Sequence, residues 1–170
     1  MSTPARFRGL SLTLAFCAAL GLGACSKDSD LADASGFGAN GAGGVARPGS
    51  AQDFVVNVGD RVFFESDSTD LTPTATATLD KQASWLQRYP RYSFLIEGHA
   101  DERGTREYNY SLGARRAQTV QDYLASRGIS ASRMRTVSYG KERPVAVCND
   151  ISCWSQNRRA VSVLDGGAGS

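Results

Sequence analysis

The stretch Glu97-Gly98-His99-Ala100-Asp101-Glu102-Arg103-Gly104-Thr105-Arg106-Glu107-Tyr108-Asn109-Tyr110-Ser111-Leu112-Gly113-Ala114-Arg115-Arg116-Ala117 decides how the chain is read. Its left end closes an apolar run, Phe94-Leu95-Ile96, which reads as a half-buried strand over Tyr92 to Glu97. Its right end belongs to a helix predicted from near Thr105 to Arg127, with Gly128 as its C-cap. Arg116 shares a stripe with Leu112, Val120 and Leu124 at four-residue spacing. An arginine on a core-facing apolar stripe is costly unless it is paired or meets a ligand. Asp101 falls in the loop between strand and helix, where functional groups are often displayed. Taken alone, Arg116 equally fits a structural ion pair or a snorkelling stem, and Asp101 a turn or capping carboxylate.

Working outward, Phe54-Val55-Val56-Asn57-Val58 and Val62-Phe63-Phe64 are short β-rich runs. Thr72-Pro73 starts a helix, with Thr72 as N-cap and Pro73 at the first position. Ala75, Leu79, Ala83 and Leu86 follow at helical spacing and stop before Tyr89-Pro90. Downstream, Met134 to Tyr139 and Ala160 to Leu164 read as strands. Strands alternating with two helices predict an α/β two-layer sandwich, helices packed on a small mixed β-sheet.

The ends of the chain differ from this middle. Of 18 glycines, only six lie in residues 53–164, and the folded domain is expected there. Residues 1–24 carry Arg6, Arg8 and no acid, followed by the apolar run Leu10 to Leu22. Thirteen helical residues rise about 20 Å, short of the ~30 Å hydrocarbon core, so the segment reads as a signal peptide. It ends in Leu22-Gly23-Ala24-Cys25, which resembles a bacterial lipobox, with Cys25 as the acylated residue. Lipoproteins of that pattern carry three acyl chains, enough for stable anchoring. Ser26 after the cysteine, rather than Asp, favours the outer membrane by the same resemblance. Residues 25–52 are rich in Gly, Ala, Ser and Asp and read as a flexible tether with a full reach of about 90 Å. Residues 165–170 read as a flexible tail. The chain's 19 Lys+Arg against 17 Asp+Glu give +2, which resides in the signal segment and makes no case for nucleic acid.

Cys148 and Cys153 are the cysteines left beside Cys25 after processing, and an exported chain favours a disulfide between them. His99 is the single histidine, and with Asp101 and Glu102 on one strand end it makes a poor metal site. No nucleophile motif or acid pair for wall cleavage is present, so no enzyme is expected.

The quoted stretch, with Val137-Ser138-Tyr139-Gly140-Lys141-Glu142 and Asn157-Arg158-Arg159-Ala160-Val161, resembles the OmpA-like peptidoglycan-binding domain family from Phe54 to Leu164. The resemblance implies a non-covalent ligand, the diaminopimelate residue of the peptidoglycan stem peptide. It places the family's aspartate at Asp101 and its arginine at Arg116. Asp101 then accepts from the ammonium of a zwitterion, and Arg116 grips its carboxylate. Thr105, as N-cap, brings backbone donors. Phe64 and Leu112 are pocket walls and Asn109 an orienting amide. Arg106 and Glu65 stand where relatives often have proline and aspartate. Lipoproteins of this family also engage the periplasmic propeller TolB, through much the same face as the wall. The expectation is therefore an outer-membrane tether to the cell wall in the Tol system, with a role in envelope integrity and division. The lipid on Cys25 is its one attached group. Loss of Asp101 or Arg116 is expected to abolish wall binding and leave the fold intact.

Overall fold

The computed structural model describes residues 46–165. The expected signal segment 1–24, Cys25, most of the expected tether and the part of the expected tail 165–170 beyond Asp165 lie outside the described residues. The order is helix α1 (Ala51–Asp53) running into a π-helical turn (Phe54–Gly59), β1 (Arg61–Phe63), α2 (Pro73–Arg88), β2 (Phe94–His99), α3 (Arg106–Ser126), a 3-10 turn (Ala131–Arg133), β3 (Met134–Gly140), α4 (Ile151–Asn157) and β4 (Arg159–Leu164).

The four strands form one mixed sheet in the order β1-β4-β2-β3. β2 and β3 are parallel, joined by α3, because parallel neighbours need a long crossover. β4 lies antiparallel between β1 and β2, so the last strand completes the sheet. The expected α/β two-layer sandwich on a small mixed sheet is what the chain forms.

α2 and α3 begin where expected. Thr72 Oγ1 accepts from the Ala75 amide and Thr105 Oγ1 from the Tyr108 amide. Each side chain satisfies an orphan donor of a first turn. α2 buries Ala75, Leu79, Ala83 and Leu86, and α3 buries Ala117, Val120 and Leu124, against Phe94 and Ile96 of β2, while buried Leu112 lies nearer the start of α3. Buried Gln82 is satisfied at both ends: it donates to Gly59 O (2.6 Å) and accepts from Ser162 Oγ (2.9 Å).

The run Phe54 to Val58, read as a strand, is helical instead. Ser50 caps the Asp53 amide, and Asp53 accepts from Gly49 N, Trp85 Nε1 and Asn57 Nδ2, each at 2.8 Å. Phe54 then packs on Trp85 with ring centroids 4.9 Å apart, while Val55 and Val56 face outward. One anchored aromatic and a cap outweigh weak β-propensity. Residues upstream of the boundary expected at residue 53 also pack on the fold. Gly49 is buried, and its carbonyl accepts from Tyr92 Oη (2.9 Å) and Arg91 (2.6 Å). Helix α4 was not expected. It carries Cys153, bonded to Cys148, which joins the helix to the loop before it.

Candidate functional site

β2 and α3 approach so closely that their contact is glycine on glycine. A Cβ on Gly98 would lie 1.8 Å from Gly113 O. The β2–β3 register shifts between Gly98 and His99, and the chain then turns through Asp101 to the N-cap Thr105. Such a bulge re-aims side chains at a strand end. Across from this turn lies the loop after β1, where Asp67 takes a positive φ of 55°. Between the two is a cleft of about 220 Å³. Ser66 and Asp67 line one side, and Asp101, Arg103, Tyr108, Asn109 and Leu112 the other.

Three of the six residues expected to bind ligand thus meet in one cleft: Asp101, Asn109 and Leu112. Asn109 is buried and donates to Arg103 O (2.7 Å), fixing the turn. Thr105 stands beside it as the helix cap. Phe64 lines a neighbouring groove with Thr72, Gln156 and Arg158. Arg116 is 0% exposed. Its Nε donates to Ser68 O (2.9 Å), Nη1 to His99 O (2.8 Å) and Nη2 to Glu65 O (3.1 Å). Its guanidinium lies 5.1 Å from the Phe64 ring centroid. Arg116 therefore ties the β1–α2 loop to the end of β2 and forms no ion pair with Asp101.

The partners of Asp101 are two arginines that the sequence reading did not single out. Arg103 donates to both carboxylate oxygens (Nε to Oδ1, 3.1 Å; Nη2 to Oδ2, 2.6 Å), and Arg158 reaches Oδ2 at 3.4 Å. Burial pushes the Asp101 carboxyl up, but the hydrogen bonds from Arg103 and then Arg158 outweigh it and hold the group below the usual carboxylate range. Burial, then the neighbouring charge of Arg158, pulls Arg116 down to about 10. The buried guanidiniums of Arg116 and Arg158 lie behind the cleft, whose own charged lining is Asp67, Asp101 and Arg103.

The motif Asn157-Arg158-Arg159 resolves into three holds. Asn157 Oδ1 accepts from Val145 N (2.9 Å) and Ala146 N (3.2 Å). Arg158 Nε donates to Phe64 O (2.9 Å), and Arg159 donates to Arg143 O (3.1 Å). The side chains therefore turn inward, contrary to the usual solvent-facing habit of charges at a strand start. Trp154 of α4 donates to Glu102 Oε1 (2.5 Å), joining the disulfide-bearing helix to the site.

His99 is buried on the far face of the sheet, and neither ring nitrogen has a hydrogen-bond partner among the described residues. Glu97 lies 3.6 Å away. Desolvation first, then the charges of Arg159, Arg143 and Arg61, outweigh that carboxylate and lower the ring to about 4. The fold thus favours neutral His99. Its contribution is complete above the unfolded value near 6.5 and is lost as pH falls through about 4. Stability should drop by roughly 2–3 kcal/mol across that window. Urea unfolding at several pH values checks this: His99→Gln should flatten the slope, and an unchanged slope would refute it. Among the described residues no three His, Cys, Asp or Glu side chains gather to hold a metal ion, and no helix is long and apolar enough to cross a membrane.

Comparison with known proteins bears on this geometry. The model of the OmpA family matches residues 63–158. The chain is 63% identical over 158 residues to the Peptidoglycan-associated lipoprotein of Rhizobium meliloti, covering 92% of this chain and 88% of that one. It is 60% identical to the protein of the same name from Agrobacterium fabrum, over 92% of this chain and 88% of the relative. Among solved structures, the peptidoglycan-associated lipoprotein of Burkholderia pseudomallei superposes with a TM-score of 0.64 at 37% identity, covering 68% of this chain and all of that one.

Proposed function

This chain belongs to the OmpA family, and on that premise we propose that it binds peptidoglycan non-covalently through diaminopimelate and tethers the outer membrane to the cell wall. The observation that carries this is the cleft at the start of α3, where the Asp101 carboxylate lines the wall and is held from behind by buried Arg158. Diaminopimelate carries an ammonium and a carboxylate on its far end. Asp101 takes the ammonium. Arg116 lies behind the cleft wall with two N–H groups beyond the three already bonded, and a shift of the β1–α2 loop that covers it would offer them to the carboxylate, with Asn109 orienting and Leu112 as wall. Thr105 sets the helix start at the mouth, and Phe64 backs Arg116. Cys25 supplies the lipid that holds the chain in the outer membrane, and the tether spans the gap. Chemistry is confined to recognition, without a catalytic residue or further cofactor.

The test is a pull-down on purified sacculi of the diaminopimelate type. Asp101→Asn keeps shape and removes the charge, so retention should fall at least tenfold, since an unpaired charge at such a site costs about 2–5 kcal/mol. Retention equal to that of the unsubstituted chain overturns the reading.

A second role draws on the surface that adjoins the cleft, where Trp154 of α4 bonds to Glu102. Val145, Val147 and Ile151 are exposed around the Cys148–Cys153 disulfide, beside the face that carries Trp154. Apolar side chains grouped there suit a protein contact more than a glycan. TolB is the partner proposed, in a Tol-Pal system serving envelope integrity and cell division. Added TolB should then release the chain from sacculi.

A further inference from the structure

We propose that Arg103 is a built-in competitor for the cation half of the cleft, occupying Asp101 until a ligand displaces it. This rests on the reading of the cleft as a diaminopimelate site. Arg103 binds both oxygens of the Asp101 carboxylate, and its backbone amide adds a third contact at 3.2 Å. The same guanidinium donates to Ser66 Oγ at 2.8 Å and lies 4.2 Å over the Trp154 ring. It therefore bridges from the Asp101 turn to the β1–α2 loop, across the cleft that both line. An incoming ammonium needs the oxygens that this fork already holds.

Exposure decides which of the two arginines on Asp101 yields. The Arg103 side chain is 43% exposed, while that of Arg158 is 6% exposed and anchored to Phe64 O. Water can take over the hydrogen bonds of Arg103, but not those of Arg158. Binding is thus an exchange of one cation for another, with Arg158 left in place to keep the carboxylate ionised. The platform for the displaced group is Trp154, fixed by its bond to Glu102.

Self-occupation sets a sign that a simple contact would not. A site filled by its own side chain binds ligand with an affinity reduced by the fraction that is open. An ion pair of this exposure is worth about 1 kcal/mol, which makes the open fraction roughly one in five. Removing Arg103 should therefore strengthen binding. A side chain that grips the ligand would weaken it on removal.

The experiment is calorimetric titration of meso-diaminopimelate into the full chain in detergent. Arg103→Gln should bind about three- to tenfold tighter than the unsubstituted chain. Ser66→Ala, which loosens the bridge without touching Asp101, should bind about twofold tighter. Unfolding midpoints confirm that each variant is folded. Binding of Arg103→Gln that is equal or weaker, while the unsubstituted chain binds, overturns the competitor alone. Absence of binding in both chains overturns it together with the diaminopimelate reading. Binding seen only in Arg103→Gln supports both.

Discussion

Replacing Gly98 by alanine is expected to remove a large part of the domain's stability at 25 °C. The new Cβ would lie 1.8 Å from Gly113 O and 2.7 Å from Gly113 C, both backbone atoms of α3. No side chain can rotate away to make room. The helix would have to move from the sheet by more than 1 Å along a seam that includes Ala117, whose Cβ is 3.2 Å away. Overpacking in a close-packed interior typically costs about 1–3 kcal/mol when side chains can adjust. Here the clash is with main chain, so more than ~4 kcal/mol is expected, against a total stability of about 5–15 kcal/mol for a domain. Gly113→Ala should be milder, because its nearest obstacle is Ser138 Oγ at 2.4 Å, although Gly98 O at 2.8 Å also stands in the way. Urea unfolding followed by circular dichroism reads both. A Gly98→Ala chain within 1 kcal/mol of the original would refute this account of how α3 docks.

That seam shows what kind of information is legible in the sequence. Both glycines sit in the stretch that identifies the strand, the turn and the helix. Local signals place those elements well: Thr72-Pro73 and Thr105 start helices as their cap chemistry demands, and Gly128 ends α3 with a φ of 88°. The failures are where a distant partner overrides a local preference. Phe54 to Val58 has β-branched composition, but Asp53 is bonded to Trp85, 32 residues later, and turns the run into a helix. Helix α4 escapes notice because it buries only Asn157, so it has no apolar period to detect.

The same contrast divides the candidate site. Asp101 and Arg116 stand out in the sequence, one as an acid in a strand-helix turn, the other as a cation on an apolar stripe. What surrounds them does not. The carbonyls that receive Arg116 belong to Glu65 and Ser68, 51 and 48 residues earlier, and Arg158 arrives 57 residues after Asp101. Charge pairing between such segments follows from the position of β4 between β1 and β2, which no local pattern reveals. Arg103 reads in the sequence as part of a turn, because it stands two positions from its partner.

Arg116→Met should destabilise the domain by about 3 kcal/mol, contrary to the expectation that its loss would spare the fold. Two effects oppose each other. Methionine restores most of the buried stem and relieves the desolvation that lowers the guanidinium to about 10. Against this, the carbonyls of Glu65, Ser68 and His99 lose a charged donor inside the protein. Each orphaned acceptor costs about 1–3 kcal/mol, so three of them outweigh the relief. The β1–α2 loop, which carries Ser66 and Asp67 of the cleft, should loosen with them. Arg116→Lys keeps the charge and fewer of the three bonds, so it should fall between, near 2 kcal/mol. Urea midpoints give the order, and a methionine variant as stable as the original would show that the three carbonyl bonds contribute nothing net. Stability and recognition then separate by temperature. At 10 °C, with the lysine variant still folded, full retention on sacculi confines Arg116 to holding the loop.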